Sequence, residues 1–192
     1  MTPHSLCSID VKANVCCVSF SPQSKNHLVF GSADHRVHLY DIRNPSKALS
    51  LFCGHRKAVS YVKYCNELEV VSASTDGDLR IWNINNFKCL RTLRGHQNER
   101  NFVGLATDGQ HVMCGSENNH LYLYCKNISD PLMHFDFNST KTDDTLIEPF
   151  ESAGGVLPFD AGSTQSSSSS QSSTGSLNDF VSAICWKKAS YM

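Results

Sequence analysis

The sequence predicts an all-β chain, a partial β-propeller of about three blades plus one further strand, and three observations carry that expectation. Asp34, Asp76 and Asn118 lie 42 residues apart, and Tyr40, Trp82 and Tyr124 keep the same step, a period typical of propeller repeats. Each copy also follows one plan, a small-residue run, a turn and an alternating apolar strand: VFGSADHRVHLYD from Val29, VSASTDGDLRIWN from Val71 and MCGSENNHLYLYC from Met113. Alternation with period two is the mark of a strand with two different faces. Finally, residues 54–83 open on Gly-His, turn at Asp76-Gly77 and close on Trp82-Asn83, the order of one complete propeller unit.

That complete unit reads as a WD40 repeat, and its chemistry is a buried polar lock. The imidazole of His55, the turn carboxylate of Asp76, a hydroxyl from Ser72 or Ser74 and the indole N–H of Trp82 are expected to satisfy one another inside the blade. His96, from the Gly-His that opens the third copy, is the corresponding lock histidine there. These residues hold a fold and are not expected to react. The other copies are weaker, with Val11 at the histidine position and Tyr40 for Trp in the first, and Asn118 and Tyr124 in the third. Such blades depend on their neighbours, as stacked repeats do.

In chain order, residues 1–11 are a lead-in whose positions 5–11 can pair as an extra strand. Residues 12–137 hold the three blades. The first starts with VCCVSF from Val15, passes the turn-forming pairs Ser21-Pro22, Asp34-His35 and Asn44-Pro45, and ends on an outer strand near residues 48–52. The second starts with VSYVKY from Val59 and ends on a strand over residues 89–93. The third starts with FVGLAT from Phe102, after QNERN (Gln97 to Asn101) has lengthened the entry by two residues relative to RKA (Arg56 to Ala58). Insertions at this connection sit on the face of a propeller that commonly binds. Residues 138–178 turn acidic and then serine-rich, a composition that cannot bury enough apolar surface to order itself, and are expected to be a disordered insert. FVSAICW from Phe180 restarts a blade over residues 179–188, and residues 189–192 form a tail. A ring needs about four blades or more. The chain therefore reads as a fragment or truncated product, or as one whose open edges need a partner.

Composition narrows the function. The chain has 192 residues, 40% hydrophobic and 9% aromatic, and a formal charge of −1. Neither a basic stripe nor a long apolar run is present, so no nucleic-acid or membrane partner is expected. The first residues carry no charged-then-apolar signal pattern, which gives a nuclear and cytoplasmic expectation. Nine cysteines are present, but they form no Cys-x-x-Cys pair and fall mostly in apolar runs, so buried reduced thiols are expected, with no metal and no cofactor. Ser32, Asp34 and His35 are framed by no nucleophile elbow or paired carboxylates, so no catalytic site is expected.

KANVCCVSFSP from Lys12, GHRKAVSYVKY from Gly54, SASTDGDLRIWN from Ser72, GHQNERNFVGL from Gly95, GSENNHLYLY from Gly115 and FVSAICWKK from Phe180 together resemble the C-terminal WD40 domain of the constitutive photomorphogenesis family of RING-type E3 ubiquitin-protein ligases. The resemblance implies a seven-bladed substrate receptor whose upper face captures short unstructured peptides with a Val-Pro core and nearby acidic residues. It also implies transcription factors and Tribbles-type adaptors as the source of those peptides, with cullin-based ligase components as further partners. The RING and coiled coil of that family have no counterpart here, as there is no Cys/His zinc pattern and no heptad run.

Carried over residue by residue, the resemblance makes Lys57, Glu99 and Phe102 peptide-binding residues. Lys57 is a point charge for a carboxylate, Glu99 can orient a donor, and Phe102 offers an apolar wall to a proline ring. Read from the repeat alone, Lys57 is a solvated rim charge and Phe102 aligns with Val59, a core position. The expected function is substrate recognition for ubiquitination and proteasomal degradation. The alternatives are a generic WD40 interaction scaffold and a truncated form without an independent role.

Overall fold

The computed structural model describes residues 7–138 and 180–186. Among them the chain forms twelve strands in three four-stranded antiparallel sheets. Blade 1 is β1 (Val15–Phe20), β2 (His27–Ser32), β3 (Arg36–Asp41) and β4 (Ser50–Cys53). Blade 2 is β5 (Val59–Tyr64), β6 (Glu69–Ser74), β7 (Leu79–Asn83) and β8 (Cys89–Leu93). Blade 3 is β9 (Leu105–Thr107), β10 (His111–Gly115), β11 (His120–Cys125) and β12 (Met133–Asp136). In every sheet the strands pair in sequence order, so each connection is a hairpin.

The core lies between the sheets. Successive side chains on a strand point to opposite faces, and blade 2 uses both faces. Val70 and Trp82 pack with Val59 and Val62 against Val29, Val37, Leu39 and Phe52 of blade 1. Val71, Ala73, Leu79 and Ile81 pack the other way, against Leu105, Val112, Cys114 and Tyr124 of blade 3. A strand covered on both sides needs a near-continuous apolar run, which is why β6 reads EVVSAS with five of its six residues buried. On blade 1 the face away from blade 2 carries Leu28, Phe30 and Tyr40. β1 leaves Val15, Val18 and Phe20 exposed.

Close approach of the sheets rests on Gly31. A Cβ there would lie 2.7 Å from Val59 Cγ1 and 2.8 Å from the Val59 carbonyl oxygen. The turn joining the second and third strands of each blade repeats a left-handed residue at the same place: His35 at φ 71°, Gly77 at φ 82° and Asn119 at φ 60°. Gly77 adopts that conformation without penalty, whereas His35 is held there at a cost.

Among the described residues, two expected strands are not formed. Residues 7–14 carry no strand; side chains make the contacts there, with Ile9 and Val11 packing against Leu28, Phe30 and Tyr40. Residues 180–186 likewise form no strand. Two backbone bonds tie them to blade 3, from Val181 N–H to the Ser116 carbonyl (3.3 Å) and from Gly104 N–H to the Val181 carbonyl (3.4 Å). A strand opening a further blade needs a second strand to pair with, and none is present among the described residues. The third blade's first strand is also shorter than expected, beginning at Leu105 and not at Phe102. The expected insert, apart from Asn138, and the tail lie outside the described residues.

Candidate functional site

The lock of blade 2 is a chain of hydrogen bonds that starts at the indole. Trp82 Nε1–H donates to Ser72 Oγ at 2.7 Å, and the Ser72 hydroxyl meets His55 Nε2 at 2.7 Å. His55 Nδ1 faces Asp76 Oδ2 at 3.2 Å. Every member finds a partner if the indole donates to the serine, the serine to the imidazole, and Nδ1–H to the carboxylate. Between the two candidate serines the geometry selects Ser72. Ser74 Oγ does a different task, donating to the Lys57 carbonyl (3.2 Å) and accepting Asp76 N–H (3.2 Å).

Asp76 ties this lock to the blade's upper edge. Burial pushes its carboxyl up, but hydrogen bonds from His55 and from the N–H groups of Arg56 and Asp78 outweigh that and hold it well below the usual carboxylate range. Its role is to fix the start of the 56–58 loop, since Asp76 Oδ2 accepts Arg56 N–H at 2.8 Å.

Blade 3 keeps the histidine and changes everything around it. Cys114 stands at the Ser72 position and Asn118 at the Asp76 position, and His96 Nδ1 meets the Tyr124 hydroxyl at 3.1 Å. Burial pushes the His96 imidazole down to about 4, against the pull of Asp78 and Asp76. Burial also pushes the Cys114 thiol up, as it does Cys17, to about 12, and Cys65, to about 11. All nine cysteines are free, but only Cys114 is buried and Cys7, Cys53, Cys89 and Cys185 are exposed. The expected burial fails at those four positions, which lie on outer strands and in loops. The thiols of Cys17, Cys65 and Cys114, raised by burial, are poor nucleophiles.

Above the locks, the edges of blades 2 and 3 enclose an open cleft of about 500 Å³ lined by residues that include Lys57, Asp76, Gly77, His96, Asn98 and Glu99. Lys57 and Glu99 come together across the blade boundary: Lys57 Nζ–H donates to the Glu99 backbone carbonyl at 3.2 Å. The Glu99 carboxylate is therefore not neutralised by this lysine. Both side chains are exposed. Asn98 anchors the loop from beneath, 1% exposed, with Nδ2–H donating to the Ser74 carbonyl at 3.3 Å.

Phe102 departs from the core position that its alignment with Val59 gives. It is 43% exposed, while Val59 and the neighbouring Val103 are fully buried. Val59 opens β5 and sits over Gly31. Phe102 precedes β9 by three residues, still in the connecting loop, and blade 2 has Ala73 where blade 1 has Gly31, so a methyl occupies the equivalent space. Phe102 belongs to the rim but is not among the residues lining the Lys57–Glu99 cleft. Asn98 and Glu117 escaped the sequence reading; the only signal for them is the longer QNERN entry and an acid one place before Asn118.

Comparison with known proteins gives the same repeat. The family model described as "WD domain, G-beta repeat" matches residues 5–41, 46–83 and 87–125. These matches are out of phase with the sheets, since residues 46–83 take in β4 with β5 to β7 and residues 87–125 take in β8 with β9 to β11. These two repeats thus tie the outer strand of one blade to the next blade, whereas residues 5–41 take in β1 to β3 alone. The chain is 43% identical over 186 residues to the E3 ubiquitin-protein ligase COP1 of Arabidopsis thaliana, covering 97% of this chain and 24% of that protein. It is 38% identical to Protein SUPPRESSOR OF PHYA-105 1 of Arabidopsis thaliana, covering 98% and 17%. It is 32% identical to WD repeat-containing protein RUP2 of the same plant, covering 97% and 42%. The chain spans about a quarter of the length of the COP1 protein it matches. Three matched repeats and three four-stranded sheets place it: the chain belongs to the WD40 repeat family.

Proposed function

We propose that this chain is a substrate-recognition module of a ubiquitin ligase system of the COP1 type, binding short peptides with a Val-Pro core and nearby acidic residues. The observation that carries this reading is the meeting of Lys57 and Glu99 on one exposed rim, with Phe102, three residues further along the chain, exposed to solvent. An ammonium bound to a carbonyl keeps its charge and has donors to spare for a peptide carboxylate. An exposed phenylalanine on a rigid scaffold is an anchor for a proline ring. Partners on this reading are unstructured segments of transcription factors and Tribbles-type adaptors, with cullin-based components and a RING supplying ubiquitin transfer, in nucleus and cytoplasm.

The similarity to RUP2, described only as WD repeat-containing, favours a second reading, a WD40 scaffold that holds proteins without selecting targets. Fluorescence anisotropy with a labelled acidic Val-Pro peptide separates the two. Selective binding over a scrambled peptide, weakened about tenfold or more by Lys57→Glu, supports the receptor. Equal binding of both peptides, or an unchanged affinity in the charge reversal, supports the scaffold.

A further inference from the structure

We infer that Glu117 is the positioning residue of the peptide-binding rim: its carboxylate holds the 97–101 loop in the shape that presents Glu99 and Phe102. The inference rests on the reading of the rim given above. Glu117 is not itself among the residues lining the cleft. Its Oε1 accepts the backbone N–H of Arg100 at 2.7 Å and of Asn101 at 2.6 Å. The base of the same loop is held by Ser116, whose Oγ accepts Gln97 N–H (3.0 Å) and donates to the Gln97 carbonyl (2.9 Å). Glu117 N–H also donates to the Gln97 carbonyl at 2.9 Å. One turn of blade 3 thus grips the loop at both ends.

Blade 2 shows why a glutamate is needed. There the loop is short, and the turn carboxylate of Asp76 reaches it directly through Arg56 N–H. Blade 3 has a longer loop and an amide, Asn118, at the turn position. The carboxylate has moved one residue back and gained a methylene, and it binds further along the loop. Burial pushes the Glu117 carboxyl up, and the N–H groups of Asn101, Arg100 and Glu99 outweigh it and hold it below its ordinary value. Bonds from backbone N–H to a carboxylate are charge-assisted and stronger than neutral ones. A loop fixed before the ligand arrives spares the ordering cost of binding.

The test uses the full chain, the acidic Val-Pro peptide and hydrogen exchange at the amides of Arg100 and Asn101. Glu117→Ala is expected to bind the peptide about tenfold more weakly and to exchange both amides faster, with only a small fall in the unfolding midpoint. Glu117→Gln keeps an acceptor oxygen and is expected to recover most of the affinity. Wild-type affinity in Glu117→Ala, alongside loss in Lys57→Glu, overturns the positioning role and leaves the receptor reading intact. No response of peptide binding to Lys57→Glu overturns the receptor reading, and unchanged amide exchange in Glu117→Ala then overturns the loop clamp separately. Should alanine unfold the chain, Glu117→Asp keeps the charge and shortens the reach by one methylene. Faster exchange and weaker binding in that variant support the role, and wild-type values overturn it.

Discussion

Ser72→Ala tests the lock where its consequences are largest. Ser72 is fully buried, and its hydroxyl lies 2.7 Å from both Trp82 Nε1 and His55 Nε2. Removing it leaves an indole N–H, on a residue 1% exposed, and an imidazole nitrogen, on a residue 7% exposed, without partners. Each orphaned buried group costs about 1–3 kcal/mol, so the substitution is expected to cost about 3 kcal/mol. That is a large part of a domain stability of about 5–15 kcal/mol. Urea unfolding followed by tryptophan fluorescence measures it, as the chain has only two tryptophans and Trp82 is the one inside the lock. Ser74→Ala is the control. It loses bonds to the Lys57 carbonyl and Asp76 N–H but leaves the indole paired, and is expected to cost about 1 kcal/mol. In Trp82→Phe, followed by circular dichroism because the fluorescent reporter is gone, the hydroxyl has already lost its donor, so the two substitutions together are expected to cost less than their sum. A Ser72→Ala loss below about 0.5 kcal/mol, at the level of an ordinary surface change, refutes the lock as a source of stability.

Two further outcomes follow from the same geometry. His96 has a folded-state value near 4, below the roughly 6.5 of an unfolded histidine. Protons therefore favour the unfolded chain. The contribution of His96 is complete above about pH 6.5 and falls by roughly 3 kcal/mol as pH drops toward 4; unfolding curves across this window should be markedly flatter for His96→Asn, and parallel profiles contradict the assignment. Gly31→Ala places a methyl 2.7 Å from Val59 Cγ1 and 2.8 Å from its carbonyl oxygen, and is expected to cost about 1–3 kcal/mol. Adding Val59→Ala should recover only part of this in calorimetry, because the backbone oxygen remains; full recovery contradicts the close approach of the two sheets.

Much of the fold was legible because a period and a polar lock leave marks on single residues. Asp34, Asp76 and Asn118 marked the turns, and Trp82 with His55 marked the inside of blade 2. What stayed hidden depends on pairing and not on residue type. Phe102 follows the same apolar pattern as Val59, and nothing in its chemistry says that β9 begins three residues later. Val181 to Trp186 reads like a strand, but a strand exists only where a second backbone meets it. Glu117 was missed because a carboxylate that binds backbone N–H groups has no side-chain partner to betray it. Lys57 and Glu99 entered through a resemblance; their contact across two blades, a side chain on a carbonyl 42 residues away, has no signature in either residue alone.

The central claim is that this rim reads the charge of a bound peptide, and a charge swap tests it most directly. Isothermal titration would compare an acidic Val-Pro peptide with one whose acids are replaced by lysine, against the wild-type chain and Lys57→Glu. The account predicts that the wild type prefers the acidic peptide and that Lys57→Glu reverses the order, with a coupling of about 1 kcal/mol or more between the two changes. Additive effects, with the acidic peptide preferred equally by both chains, contradict it.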